Sequence, residues 1–363
     1  MSRPAQAIIN LDAIRHNYLL AKSLNSGGRA VAIVKANAYG HGAIEVASSL
    51  SDIADAFGVA CIEEAVELRQ AGINNPILLL EGFFESSELD LISRLNLWTV
   101  IHHQQQIDML ERSCLINPIQ VWLKMDLGMH RLGIKADRFH SAYRSLSCMR
   151  QVSDIVMMGH FSSADDVNNS VITEKQRYCF QKHTRSLKGC VSLSNSAATL
   201  MHPQSHQDWL RPGIMLYGAS PFGGTHSTAR NLKPAMTLRS EIIAERMISP
   251  GECVGYGENW CADKPTRVGT VAMGYADGYP RHAKSGTPVL VNGRLTHILG
   301  RVSMDMLAVD ITPFDEECLG FPVELWGETV SANHVAECAQ TIPYTLFCGI
   351  SRRVHKIYRT ETG

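Results

Sequence analysis

The sequence predicts a (β/α)8 TIM-type barrel followed by a mostly antiparallel β domain. Three observations predict it: a series of wholly apolar strand candidates spaced by helical patterns, a length of 363 residues, and a change of rhythm near residue 230. That length exceeds what one ordinary core holds, but suits a barrel of ~250 residues with a second unit beside it. We place the barrel at residues 1–230 and the β domain at 231–363, with the join falling within 215–240.

The strand candidates run in order through the first part of the chain. They are Val31–Val34, Ala56–Val59, Ile77–Leu80, Trp98–Ile101, Val121–Leu123, Ile155–Met158, Cys190–Leu193 and a shorter one near Trp209–Leu210. Residues apolar at every position suit parallel strands covered on both faces. Between them lie segments such as Ile62–Arg69, whose apolar stripe and following Gly72 read as a helix with its stop. A doubly wound sheet is the rival, but no Gly-x-Gly-x-x-Gly turn follows a strand.

Beyond residue 230 short β-type strings alternate with Pro and Gly: Thr270–Met273, Pro288–Val291 and Val323–Trp326. The segment Val291-Asn292-Gly293-Arg294 is a hairpin signal, because Asn-Gly accepts the positive φ of a tight turn. One helix is expected near Asn333–Gln340.

Composition narrows the function classes. Apolar residues form 45% of the chain and charged ones 19%, which supports a large core and argues against disorder. With 34 basic and 35 acidic residues no basic stripe favours nucleic acid, and no long apolar run favours a membrane span. The N-terminus lacks a signal-peptide pattern, so a cytoplasmic protein is expected. The ten cysteines show no Cys-x-x-Cys and no zinc spacing. They are therefore expected as free thiols, several (Cys148, Cys190, Cys348) inside apolar strings, with no metal site.

Polar residues that end buried barrel strands face the active-site mouth. Here Lys35 ends the first strand, Lys124 the fifth and His160 the sixth; Asn195 and Ser196 end the seventh, and Arg211 lies at the eighth. A lone lysine after an apolar run is usually a solvent-facing residue. Several reactive or anion-binding groups at successive strand ends converge on one cavity. A desolvated amine near other cations loses basicity and gains nucleophilicity, the property that anchors an aldehyde cofactor. Tyr39 comes four residues later, within reach of a phosphate.

The spacing of these groups resembles the alanine racemase family, in the form found in Gram-negative bacteria. The resemblance rests on Val34–Gly42 (VKANAYGHG), Lys124–Gly133 (KMDLGMHRLG), Asn195–Ala198, Arg211–Gly218, Val254–Gly257, Gly274–Pro280, Gly300–Asp305 and Tyr344, and so spans both halves. It implies pyridoxal 5'-phosphate (PLP) held by Lys35, its phosphate held by Tyr39, Ser196, Gly213, Ile214 and Tyr344, and Arg211 on the pyridine nitrogen. It also implies His160 against the ring and Arg131 on the ring's phenolic oxygen and near the substrate. A homodimer with shared active sites is implied as well, in which Tyr256 and Met304 come from the other subunit. Lys124 corresponds to a lysine often carbamylated in the family. Ser192 departs from the relatives that place a histidine beside the arginine.

Inverting an α-carbon needs a base on each face, and the resemblance assigns Lys35 and Tyr256. Tyr275 and Met304 would narrow the substrate pocket to a small amino acid, alanine above all, though a pocket discriminates a methylene by only ~1–3 kcal/mol. Whether such an enzyme supplies D-alanine to the cell wall or degrades L-alanine stays open. The rival readings are a PLP-dependent decarboxylase of similar architecture, which would favour an acidic group where Arg211 stands, and a PLP-binding protein without turnover.

Overall fold

The computed structural model describes residues 3–223 and 226–360; Met1 and Ser2 of the N-terminal segment, and the last three residues of the β-domain range, lie outside them. Strand β1 (Gln6–Asn10) comes first, then β2 (Arg29–Ile33), β3 (Ala56–Val59), β4 (Ile77–Leu79) and β5 (Leu97–Ile101). They are followed by β6 (Ile119–Lys124), β7 (Val152–Met158), β8 (Val191–Ser192) and β9 (Trp209–Leu210). Strands β2 to β9 pair in sequence order, all parallel, and close into a barrel. Each of the eight strands overlaps an apolar run singled out in the sequence. Their residues are buried because helices such as Leu11–Ser23 and Ile62–Gln70 cover the outside while side chains fill the inside.

The filling includes three tryptophans from different strands. Trp98, Trp122 and Trp209 meet with ring centroids 5.5–6.1 Å apart, which is possible only across the barrel interior. The Arg29 guanidinium lies 4.1 Å over the Trp209 ring. The barrel is thus a packed core with its working groups confined to one end.

The second unit holds β10 (Met236–Ile248), β11 (Thr266–Val271), β12 (Pro288–Val291), β13 (Arg294–Leu299), β14 (Leu307–Asp310), β15 (Pro322–Trp326) and β16 (His355–Arg359). Its sheet runs β11-β14-β13-β12-β15-β10-β1-β16, with β10 also pairing β11; every contact is antiparallel except that of β1 with β16. The Asn292-Gly293 turn joins β12 to β13 with φ of 43° and 81°, as its sequence demands. The helix expected near Asn333–Gln340 spans Ala332–Cys338.

Two sequence expectations need correction. Residues 6–10 fall in the range assigned to the barrel, yet β1 pairs β10 and β16 in the second sheet. Its alternating burial fits a strand with one face on the core, and its partners lie more than 200 residues away (Gln6 opposite Arg239). The cysteines are also not all free. Cys253 and Cys261 form a disulfide, and Cys148 and Cys348 are exposed despite their apolar neighbours. Among the described residues no cluster of metal-ligating side chains occurs, and no helix is long and apolar enough to cross a membrane.

Buried polar ties hold the junction and the N-terminal tail. Asn17 donates to the carbonyls of Leu216 and Lys233 and accepts the Lys233 amide, pinning the segment that leaves the barrel. Asp277 is fully buried; it takes both Arg3 guanidinium nitrogens at 2.5 and 2.8 Å and accepts the Gly274 amide at 2.8 Å. Arg3 also donates to the Asp305 carbonyl at 2.8 Å. One arginine and one carboxylate therefore tie the N-terminal tail to the 274–278 turn and the 303–305 loop. Breaking such a pair from one side strands a buried charge. Arg3→Ala, which leaves the buried Asp277 carboxylate with Arg353 at 3.4 Å, should cost about 2 kcal/mol of stability, measurable as an earlier urea midpoint; an unchanged midpoint would show the tie to be idle.

Candidate active site

The site begins with an unusual turn. After β2 the chain reaches Lys35, and Ala36, Asn37, Ala38 and Tyr39 then all adopt φ of 51–54°. Four successive non-glycine residues in the left-handed region cost of order 1–3 kcal/mol each, so surrounding bonds must hold them. Glu64 does so at the start, accepting the Ala36 and Ala60 amides at 2.7 Å each. Asn37 caps the next helix through the Ala43 amide at 2.8 Å, and buried His41 contacts the carbonyls of Ala38 and Tyr39 at 3.1 and 3.0 Å. Gly40 closes the turn at φ 80°, where a side chain would collide with the Phe347 carbonyl. The reversed turn swings Tyr39 back over the barrel mouth instead of away from it.

There the Tyr39 ring stacks on Tyr217, 5.0 Å between centroids, and leans on Tyr344 at 5.6 Å. Burial raises the pKa of both Tyr39 and Tyr344, keeping them as neutral O–H donors. Among the described residues neither phenol oxygen is spent on a protein hydrogen bond. Beside them, Ser196 accepts the amides of Gly213 and Met215 at 2.8 and 3.4 Å, which leaves its own hydroxyl proton to offer. A side chain on Gly213 would lie 2.8 Å from the Tyr39 hydroxyl, so glycine keeps this cradle open.

The strand ends supply the rest. The Lys124 loop folds back through bonds between Ile134 and Lys124 (2.8 Å) and between Asp126 and Ile134 (3.0 Å), bringing Arg131 to the mouth. Lys124 is buried, and burial first, then Arg211, Arg131 and Lys35, lower its pKa to about 8. Arg211 donates to Ser192 Oγ at 2.5 Å and to the Gly159 carbonyl at 2.6 Å, and approaches His160 Nδ1 at 3.5 Å. Burial lowers the Arg211 pKa to about 9, still cationic at neutral pH. Burial and the same cations hold His160 well below its ordinary range, as a neutral imidazole.

Lys35, Tyr39, Lys124, Arg131, His160, Ser196, Arg211, Gly213, Ile214 and Tyr344 all line one cavity of about 440 Å³. Lysines and arginines supply four of its lining groups, and Glu81 is the one carboxylate among them. Such a pocket is suited to an anionic ligand with a reactive group reaching Lys35. The sequence reading missed Glu81 and Cys348. Cys348 lies four residues beyond Tyr344 on the helix Pro343–Cys348, so the helical period placed it on the same face.

Three anticipated residues do not line this cavity: Tyr256, Tyr275 and Met304. They are 70%, 37% and 53% exposed. The structure nevertheless brings their loops together. The Tyr275 amide donates to Ser303 and the Ala276 amide to Met304, while Gly300 and Gly255 pack against Val254 and Arg301.

The comparisons with known proteins agree with this geometry. Residues 9–221 match the model for the alanine racemase N-terminal domain, and residues 235–358 the model for its C-terminal domain. The chain belongs to the alanine racemase family. It is 53% identical to an alanine racemase of Pseudomonas syringae pv. syringae, covering 99% of this chain and 100% of that one. It is 51% identical to the catabolic alanine racemase of Pseudomonas putida, over 96% and 98%. The solved biosynthetic alanine racemase of Pseudomonas aeruginosa superposes with a TM-score of 0.95 at 47% identity, over 98% and 99%. Set beside the alanine racemase resemblance, Ser192 is informative. Its hydroxyl accepts from Arg211 and donates to the Trp209 carbonyl at 2.8 Å, so serine itself braces the arginine.

Proposed function

We propose that this protein interconverts L-alanine and D-alanine with PLP as its cofactor, using Lys35 and the partner subunit's Tyr256 as bases on opposite faces of the substrate. The observation that carries the reading is the split in the site. Lys35, the anion cradle and Arg211 share one cavity, whereas Tyr256, Tyr275 and Met304 stand exposed together on the β domain. A second copy of the chain supplies to the cavity what its own chain leaves outside.

The cavity fits PLP by its donor set. Tyr39, Tyr344, Ser196 and the Gly213 and Ile214 backbone suit the phosphate, the Lys35 amine suits the aldehyde, and His160 and Arg131 suit the ring. Once bound, the cofactor withdraws electron density from the α-carbon and makes its hydrogen acidic. The protein's own groups set how far that withdrawal goes and where the proton moves. Arg211 offers only donors and would face the ring nitrogen as a fixed cation, which would oppose a proton there and restrain the withdrawal. Lys35 would then move the proton on the D face and the partner subunit's Tyr256 that on the L face, a task that needs each within hydrogen-bond reach of its path. Brought in by the partner subunit, Tyr275 and Met304 would leave room for little more than a methyl group, so serine is expected as a slow substrate. We place this enzyme in the cytoplasm, as a homodimer.

The test is incubation of the purified holoenzyme with L-alanine in D₂O. D-alanine carrying α-deuterium is expected; release of CO₂ without inversion would favour the decarboxylase, and no change in the amino acid would favour a simple PLP binder.

Lys124 adds a pH-dependent feature. Its folded pKa of about 8 lies below the ordinary lysine value, so folding enriches the neutral amine as pH rises through that value. A neutral amine adds CO₂ to give a carbamate anion and a proton, and the surrounding Arg131 and Arg211 would hold that anion. With ¹³C-bicarbonate, a carbamate NMR signal should grow as pH climbs through about 8 and be missing in Lys124→Arg. A signal that persists in the variant would place the modification elsewhere.

A further inference from the structure

Tyr256 sits at the tip of a hairpin whose base is covalently closed. Cys253 and Cys261 face each other across an isolated antiparallel bridge and are joined by a disulfide eight residues apart in sequence. Backbone bonds flank the link: the Val254 amide to Trp260 at 2.9 Å, Gly251 to Ala262 at 2.7 Å and Ala262 to Glu252 at 2.9 Å. Inside the ring the other restraint comes from Arg301, whose backbone lies against Gly255 and whose guanidinium lies against Gly257. Val254 is half-buried and residues 255–259 are all exposed, Gly255, Gly257 and Glu258 take φ of 78°, 77° and 48°, and Tyr256 is 70% exposed. A segment that buries so little has low local stability unless a cross-link limits its freedom.

We propose that Cys253 and Cys261 are a reversible redox modification site that positions Tyr256, so that reducing their disulfide slows racemisation. The proposal rests on Tyr256 being a catalytic base. Cys253 and Cys261 touch no reacting atom; they act by holding the hairpin that presents the phenol. Both cysteines are exposed, which lets a small dithiol reach them. One thiolate of the dithiol attacks either sulfur and breaks the Sγ–Sγ bond. Its second thiol then displaces the mixed disulfide, leaving two cysteine thiols and the oxidised dithiol. An oxidised disulfide such as glutathione disulfide reverses the exchange. In a reducing compartment disulfides are commonly transient and regulatory, which suits a link placed beside a catalytic loop rather than within a core.

The experiment uses the holoenzyme, oxidised with glutathione disulfide or reduced with dithiothreitol, and compares it with Cys253→Ser/Cys261→Ser and Tyr256→Phe. Unreduced peptide mapping should find Cys253 linked to Cys261 in the oxidised sample. Reduction should lower kcat on the order of tenfold while KM changes little, because a small misplacement of a reacting group is costly. In D₂O the α-hydrogen of L-alanine should exchange more slowly after reduction, while that of D-alanine, the substrate of Lys35, continues to exchange. The double serine variant should match the reduced enzyme and ignore dithiothreitol, which separates the hairpin from any action of thiols on the cofactor. Free thiols in the oxidised sample, or equal rates in both redox states, would overturn the proposal. If Tyr256→Phe turns over normally, the assignment of the base fails and the proposal with it. If that variant is dead while reduction changes nothing, the base stands and the redox site alone fails.

Discussion

Mixed with a Tyr256→Phe chain and allowed to exchange subunits, a Lys35→Ala chain should recover about a quarter of the wild-type racemisation rate. Tyr256→Phe alone should lose about two to four orders of magnitude, the usual cost of a positioned base, and Lys35→Ala should lose more because Lys35 also anchors the cofactor. In a mixed dimer one site receives both substitutions and the other receives neither. Half of the molecules are mixed and half of their sites are intact, hence the quarter. The result depends on Tyr256 serving the partner's cavity, which its 70% exposure and its absence from its own chain's cavity both support. Activity that fails to return, although light scattering and native mass spectrometry show subunit exchange, would place both bases on one chain.

Arg211→Glu should be nearly as severe, and in a different way. The wild-type guanidinium satisfies Ser192, the Gly159 carbonyl and, at 3.3 Å, the Leu193 carbonyl. A carboxylate there offers no donors to those carbonyls and invites a proton onto the ring nitrogen. Racemisation should fall by ~10²–10³, as when a fixed electrostatic contact is lost. Transamination, read as pyruvate, should rise relative to racemisation. Thermal unfolding must be followed in parallel, because the unpaired carbonyls also destabilise the fold. A variant that racemises at the normal rate, with no added pyruvate, would remove the arginine from control of the cofactor.

Much of this arrangement was legible in the residues themselves. The barrel strands could be read because burial on both faces leaves unbroken apolar runs, and the groups ending those runs reached one cavity. The partners of β1 were not legible. Its burial alternates, with Ala7 and Ile9 inside, but pairing with residues 236–239 is settled only in three dimensions. The disulfide was equally hidden, for Cys253 and Cys261 have no motif spacing and become neighbours only once the hairpin closes. Ala36-Asn37-Ala38 suggests an ordinary helix start by propensity, and the wrong-handed turn is imposed by Glu64, His41 and Gly40 from outside it. Resemblance to a family supplied the roles of Tyr256, Tyr275 and Met304, which no local pattern marks as chemical.

That turn also limits how the chain can vary. Each of its backbone positions brings a β-carbon close to the following carbonyl, so valine, isoleucine or threonine at positions 36 to 38 would meet a steric wall that alanine and asparagine barely avoid. Three residues with no acid–base chemistry of their own are thereby closed to branched side chains, while glycine would fit them without strain. Tolerance to substitution here tracks handedness, and a mutational map of the protein would admit glycine and asparagine along this stripe and reject valine, isoleucine and threonine.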